Sequence, residues 1–176
     1  MMLSIFALLV VLSAPPAFHA SDQAAIEAAV TRGHPGARVT SVFISGDFAV
    51  AQSETGGSEI REGLSRQGVT WRVTCELPAG TLSSVTLSHR CRFSRTAAAQ
   101  LSADIAANAA ASQGRFAEAA ASAQTAFSVA QPTTQSAEAA RVQLLHTLSQ
   151  QLQLGQISRS DAIHKWNEMR FSFFFP

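Results

Sequence analysis

The amino-acid composition changes near residue 95, and this change constrains the fold more than any other feature. Residues 21–95 mix β-branched residues with glycines and turn residues, whereas residues 96–170 are rich in alanine, glutamine and serine. β-Branched residues favour strands, and alanine is the strongest helix former. We therefore predict an α+β part over 21–95 and an α-helical part over 96–170. We expect the two parts to pack together, because neither buries much core alone.

The first twenty residues have the pattern of an export signal. Residues 3–12 are almost wholly apolar, which is typical of a signal-peptide core and is about half the length that a bilayer-spanning helix needs. Two prolines follow, and Ala20 offers a small residue for cleavage, although Phe18 stands where a small residue is preferred. We predict a signal peptide over 1–20 and a periplasmic or secreted protein without a membrane span. The alternative is a short buried helix.

A helix followed by a four-stranded antiparallel meander is predicted within 21–95. Ser21 or Asp22 can cap the helix, and Gly33 and Pro35 end it. Alternating apolar residues and turn residues predict strands over 39–44, 48–51, 59–66 and 70–75. This order is similar to the cystatin-like arrangement, an architectural resemblance that implies no function.

The chain contains two cysteines, Cys75 and Cys91. Trp71, Val73 and Cys75 alternate with polar residues, so we expect all three on one face of a half-buried strand. A thiol pair in an exported protein is normally oxidised, whereas zinc sites and redox motifs use a closer cysteine pair and zinc needs two further ligands. We therefore predict a structural disulfide, which closes a loop of about fifteen residues and contributes roughly 3 kcal/mol.

Four helices are predicted in the Ala-rich part, arranged as hairpins. They cover 97–112, 116–130 and 138–152, and a fourth begins after Ser158. Ser158 and Asp161 have the spacing of a capping box. Glu138 and Arg141 lie one helical turn apart, and we predict that both face solvent on the outside of the third helix.

A set of turn glycines and core positions resembles a group of small exported bacterial proteins. The residues that carry the resemblance are 46–51, 56–57, 64–66, Gly68 and 71–75. The group is largely of unknown function, and some members are labelled as copper-uptake-system-associated. The resemblance covers residues 24–101 and departs after Cys75, where this chain has Glu76, Leu77 and Pro78 in place of glycines. It implies an exported protein with this fold and a link to copper.

The segment between the cysteines fits two structures. The apolar residues of 81–93 match both a strand and one face of a helix, and periodicity does not decide over so short a run. In the group of exported proteins that the chain resembles, the segment after the tryptophan strand looks helical and contains a second cysteine. We therefore favour a short helix or an irregular turn.

Residues 101–132 resemble one tetratricopeptide repeat. The matching positions are Ala107, Gly114, Phe116, Ala119, Ala123, Ala126 and Pro132. The resemblance implies a helical hairpin and contact with a peptide or protein. Residues 138–170 are a candidate for a second, degenerate hairpin, whereas solenoids of this kind need about three or more units.

The chain ends in a phenylalanine-rich tail over 171–176. Four of its residues are phenylalanines: Phe171, Phe173, Phe174 and Phe175. Exposed apolar patches of this size favour association. Either the tail docks on its own helices, or these phenylalanines are a partner-binding peptide.

Charge and motifs argue against several classes of function. The formal net charge is +1, and a nucleic-acid-binding protein would need a basic stripe to displace counterions. The nearest candidates are Arg90, Arg92 and Arg95, a short cluster that we interpret as solvated surface. The chain has no nucleophile elbow, phosphate loop or dinucleotide fingerprint. We therefore predict no nucleic-acid partner, no cofactor and no catalytic motif.

Metal ligands and paired carboxylates are also sparse. The histidines after the predicted signal are His34, His89, His146 and His164, and no two of them have the close spacing that copper sites use. We therefore predict no metal site and interpret His34 as a solvated loop residue. Glu54, Glu59 and Glu62 are candidates for acid–base chemistry, but we interpret them as a solvated hairpin edge.

The sequence thus predicts an exported, non-catalytic accessory or scaffold protein with another periplasmic protein as its partner. One alternative is an accessory protein of copper uptake or handling. The other is a hydrolase with an unrecognised site, because catalytic residues that are scattered along a chain leave no local motif.

Overall fold

The computed structural model describes residues 18–130, 132 and 135–174 and confirms the α+β fold. Its elements are α1 (Phe18–Gly33), β1 (Arg38–Ser45), β2 (Phe48–Thr55), β3 (Ser58–Gln67), β4 (Thr70–Leu77), α2 (Ser84–Cys91), α3 (Arg95–Ser112), α4 (Phe116–Val129), α5 (Gln135–Gln153) and α6 (Arg159–Phe174). The strands form one antiparallel sheet in the order β1-β2-β3-β4. No helix in the described part of the chain is long and apolar enough to cross a bilayer.

Helices cover both faces of the sheet. The consecutive residues Val42 and Phe43 belong to different cores, because successive side chains of a strand point to opposite faces. One core lies beneath α1 and includes Ile26 and Trp71. The other core lies beneath α2 and α3 and includes Leu87. The strands therefore carry apolar residues on both sides, and α1 and the later helices sandwich the sheet.

Helix α3 joins the sheet to the remaining helices. Its first turns place Ala98 and Leu101 in the core against the sheet, and its last turns place Ala107 and Ala111 in the core against α4. Alanine is small enough for two helices to approach closely, and Ala123 of α4 is likewise fully buried. The predicted helical hairpin is confirmed by the packing of α3 on α4, and α3 contributes buried residues to two cores.

Two predictions about the N-terminal helix have different outcomes. The proposed caps, Ser21 and Asp22, are wrong because α1 begins at Phe18 and both residues lie inside it. The Asp22 carboxylate instead accepts a hydrogen bond from Trp71 Nε1 at 3.2 Å. The signal peptide over 1–20 stays a prediction, since residues 1–17 lie outside the described residues.

The ends of the helical part follow the predicted boundaries closely. The capping box at the start of α6 is confirmed, because Asp161 N donates to Ser158 Oγ at 3.1 Å and Ser158 N donates to the Asp161 carboxylate at 3.3 Å. Of the phenylalanine tail, residues 171–174 form the last turn of α6. Phe175 lies outside the described residues, so the role of the tail stays a prediction.

A β-bulge at Thr74 changes the direction of the first cysteine. Val73 pairs with Leu64 and Cys75 pairs with Gly63, so Thr74 is an extra residue between them. Thr74 Oγ1 donates to the Gly63 carbonyl at 3.0 Å. The predicted alternation is therefore wrong at Cys75, which faces α2 while Trp71 faces α1.

The predicted disulfide between Cys75 and Cys91 is present. The segment between the cysteines ends in helix α2, and Cys91 is the last residue of that helix. The two Cα atoms are 5.2 Å apart. A Cβ atom at Gly63 would lie 2.5 Å from the Cys75 sulfur and 2.7 Å from the Cys91 sulfur. The bridge therefore lies directly on the β3 backbone, and a glycine is required beneath it.

Candidate functional site

An open cleft lies between the end of α1 and strands β3 and β4. Its volume is about 340 Å³. The residues that line it are Ala29, Arg32, Gly33, Glu62, Trp71, Arg72 and Val73. Because α1 ends at Gly33, it leaves the neighbouring part of the sheet uncovered. We refer to this feature as the cleft.

The wall of the cleft contains a buried carboxylate. Glu62 is only 4% exposed, and its Oε1 lies 3.2 Å from His34 Nε2. Its second oxygen, Oε2, is buried and has no hydrogen-bond partner among the described residues. Burial raises the pKa of Glu62, His34 opposes this shift, and the neighbouring Glu76 adds to it. A buried carboxylate oxygen without a donor is unfavourable, so Glu62 is ready to accept a hydrogen bond.

The neighbouring imidazole is oriented by this carboxylate. When Glu62 is ionised it only accepts hydrogen bonds, and a neutral His34 then carries its proton on Nε2 and keeps the lone pair of Nδ1. The His34 side chain is 35% exposed. The pair therefore presents a half-exposed, fixed imidazole beside a buried acid.

A rigid indole forms another part of the wall. Trp71 is 2% exposed, and its ring is covered by Arg66, whose guanidinium carbon lies 4.8 Å from the ring centroid. Asp22 accepts hydrogen bonds from Trp71 and Arg66 and so holds both in place. Val73 is partly exposed next to this ring and provides the apolar contact of the cleft. The wall is therefore preformed.

The structure corrects two predictions at this site. Glu54 and Glu59 are exposed, as predicted for a hairpin edge, but the same prediction is wrong for Glu62. His34 is not simply solvated, because it is paired with Glu62. The signal that was overlooked is the alternation of Ile60, Glu62 and Leu64, which places the carboxylate on the inward face of β3.

A second group of buried charges links α3 to α5. Asp104, Glu138 and Arg141 are each at most 5% exposed. Arg141 Nη1 contacts the Asp104 carboxylate and lies 3.2 Å from Glu138 Oε2. The prediction that Glu138 and Arg141 face solvent is therefore wrong. We refer to these three residues as the acid cluster.

A neutral polar pair lies next to the acid cluster. The side chain of Gln100 is fully buried, and its Oε1 accepts a hydrogen bond from Ser45 Oγ at 2.8 Å. Burial, followed by the negative charge of Asp104, raises the pKa of Glu138 to about 8. Burial also raises the pKa of Asp104, and Arg141 opposes this shift. The acid cluster combines two carboxylates with one guanidinium, so it carries one excess negative charge when both carboxylates are ionised.

The other basic residues singled out in the sequence lie at the surface. Arg90, Arg92 and Arg95 are exposed around the corner between α2 and α3, where Arg92 adopts a left-handed conformation with φ 57°. His164 is exposed and lies 3.2 Å from Glu168. Among the described residues, no three histidine, cysteine or acidic side chains are grouped so that they could hold a metal ion.

Comparisons with known proteins identify no relative. No family model matches the chain, and neither the curated proteins nor the solved structures contain a match.

Proposed function

We propose that this protein is an exported, non-catalytic accessory protein that binds a partner protein in the cleft. The observation that carries the proposal is the Glu62 carboxylate, which accepts from His34 with one oxygen and has its other oxygen buried without a donor. Rotation of the Glu62 carboxylate toward the cleft would let an N–H or O–H group on the partner supply that donor, and the exposed apolar edge of Val73 would add contact area.

The shape of the cleft favours a protein partner over a free small molecule. Small-molecule sites normally enclose most of the ligand surface, whereas this cleft is open to solvent along one side. Such a shape suits a side chain that is already held by a larger surface. The alanines of α3 and α4 are buried against each other, so they are engaged within the protein itself.

Two further observations support the exported, non-catalytic part of the proposal. The disulfide is typical of proteins in oxidising compartments, and it agrees with the export signal predicted over 1–20. Nucleophilic catalysis needs a hydroxyl or thiol beside a base. In the described part of the chain, the hydrogen-bond partner of the His34 side chain is Glu62, and both cysteines are bonded to each other.

Site-specific photo-crosslinking in the native host tests the proposal. A benzophenone amino acid replaces Val73, and a matched control replaces Leu154, which is 71% exposed at the end of α5. We expect a discrete crosslinked product from position 73 only, and we expect Glu62→Gln and His34→Ala to remove it. The proposal is wrong if both positions give the same products, or if the product persists in the Glu62→Gln variant.

Copper handling is the second candidate, and one observation favours it. Metal-binding histidines usually donate their other ring N–H to a carboxylate, which is the arrangement of His34 and Glu62. Titration with Cu(I) and Cu(II) separates the two candidates. The partner-binding proposal predicts no stoichiometric tight binding. Tight binding that disappears in His34→Ala would make copper handling the favoured function and partner binding the second candidate.

A further inference from the structure

We propose that the acid cluster is a proton-dependent latch, which links the first turns of α5 to α3 through side chains and opens when its proton is lost. The latch consists of a carboxylate from each helix, Asp104 and Glu138, with the Arg141 guanidinium beside both. All three side chains are at least 95% buried. One guanidinium balances one carboxylate, so the second carboxylate needs a proton to remain buried.

The charged residues around Glu138 support the count of one cation for two carboxylates. On α3, the neighbours of Glu138 are Asp104 and the neutral Gln100, and on its own helix the neighbour is Arg141. Helix α4 carries one charged residue, Glu118, which is exposed and paired with Arg115. Other charged side chains of described burial on the packed elements are exposed: Glu54 on β2, Arg38 on β1, Arg90 on α2, Arg95 on α3, and Arg159, Asp161, His164, Lys165 and Glu168 on α6. His89 on α2 and His146 on α5 are exposed as well.

The two carboxylates differ in how easily they reach water. Asp104 lies in the middle of α3, which is enclosed by the sheet on one side and by α4 on the other. Glu138 lies in the first turn of α5, which begins at Gln135. Helix ends open at low free-energy cost, and a negative charge in the first turn is stabilised by the helix dipole even in water. Loss of the proton therefore moves Glu138 outward and leaves Asp104 paired with Arg141.

The direction of the pH response follows from the different access of Asp104 and Glu138 to water. With the pKa of Glu138 raised to about 8, the latch is closed at pH 6 and opens as the pH rises through 8 toward 9. The motion is confined to the start of α5, because the later residues Leu145 and Leu148 stay buried in the helical core. The α+β part does not take part in it.

Hydrogen exchange of the full chain tests the latch. We expect protection of the first hydrogen-bonded amides of α5, residues 139–142, to fall at least tenfold between pH 6.5 and pH 9 after correction for the intrinsic rate. Protection in β2 should stay constant. Glu138→Gln should keep α5 protected at both pH values, whereas the matched control Glu118→Gln should behave as the wild type. Constant protection of α5 in the wild type would overturn the latch, as would a pH response that survives in Glu138→Gln.

A measurement on the unaltered protein makes the test independent of variant folding. The ¹³C chemical shift of the Glu138 carboxyl carbon reports its protonation directly. A midpoint between pH 7 and pH 9 is the expected result. A midpoint near the ordinary value of 4.5 would show that no proton is held at neutral pH and would overturn the proposal.

Discussion

The α+β part and the helical part each fasten a helix to the rest of the fold, and they do so by different chemistry. In the α+β part, a covalent bond between Cys75 and Cys91 joins α2 to the sheet. In the helical part, the acid cluster joins α5 to α3 without a covalent bond. The first connection depends on the redox state of the surroundings, and the second depends on pH. Each part should therefore be weakened by a change that leaves the other intact.

The largest effect is expected where the acid cluster loses its cation. Arg141→Met leaves Asp104 and Glu138 buried together without a compensating charge, and removal of one partner from a buried ion pair costs about 3–5 kcal/mol. Denaturant unfolding at pH 7 measures the loss. The matched control is Arg115→Met, because Arg115 forms an exposed pair with Glu118 that contributes at most about 1 kcal/mol. Equal losses in the two variants would contradict the role of burial.

Removal of the disulfide comes next. The double substitution Cys75→Ala and Cys91→Ala should lower the free energy of unfolding by roughly 3 kcal/mol, because the unfolded chain regains the freedom that the loop had lost. Hydrogen exchange should show the loss of protection in α2 and β4, while α5 keeps the protection of the wild type at pH 6.5. If α5 opened to the same extent as α2, the two connections would not be independent.

Substitution of Gly63, which lies beneath the disulfide, tests whether the two sulfurs are what requires a glycine there. Gly63→Ala places a Cβ atom against both sulfurs, and such overpacking costs about 2–3 kcal/mol. In the Cys75→Ala and Cys91→Ala background the sulfurs are absent, so the same substitution should cost less than about 1 kcal/mol. Thermal or denaturant unfolding of the four proteins completes the double-mutant cycle. Additive losses would mean that the disulfide is not what requires glycine at this position.

Local signals were sufficient to predict most of the fold. Strand alternation, turn glycines and alanine content each act over a few residues, so most helices and strands lie close to their predicted boundaries, although β2 runs on to Thr55 instead of ending at Ala51. The disulfide was also predictable, because compartment and spacing limit what two cysteines do. The capping box at Ser158 and Asp161 is local as well, and it was found for the same reason.

Two of the three features that escaped prediction are non-local. The bulge at Thr74 depends on its pairing with β3, and nothing in the residues around it indicates an extra residue. Glu138 and Arg141 have the spacing of a surface ion pair, and only Asp104 of α3 shows why they turn inward. Glu62 was overlooked because a glutamate next to a hairpin is usually solvated. For the bulge and for the buried ion pair the deciding partner is distant in the sequence, whereas the alternation that places Glu62 inward is local.

The smallest effect, and the one that separates the two connections most directly, is the response of overall stability to pH. Glu138 has a pKa of about 8 in the folded chain against an ordinary value of 4.5, so the folded state binds its proton more tightly than the unfolded state does. The resulting stabilisation is fully present below pH 4.5 and is lost as the pH rises through 8. Between pH 6 and pH 9 we expect a fall of about 2 kcal/mol in the free energy of unfolding, because opening of the first turn of α5 limits the loss.

Glu138→Gln should abolish most of this fall, because an amide carries no charge at either pH. Glu62→Gln is the matched control: Glu62 also has a raised pKa, but it borders the open cleft, so most of the fall should persist in that variant. Asp161 acts in the opposite sense, since its pKa is lowered by Ser158, and its contribution is lost only at acidic pH. Urea unfolding at both pH values measures all of these proteins. Because no thiol is free in the described chain, a fall that persists in Glu138→Gln would have to come from a different titrating group, and the helical part would then lose its pH-dependent connection.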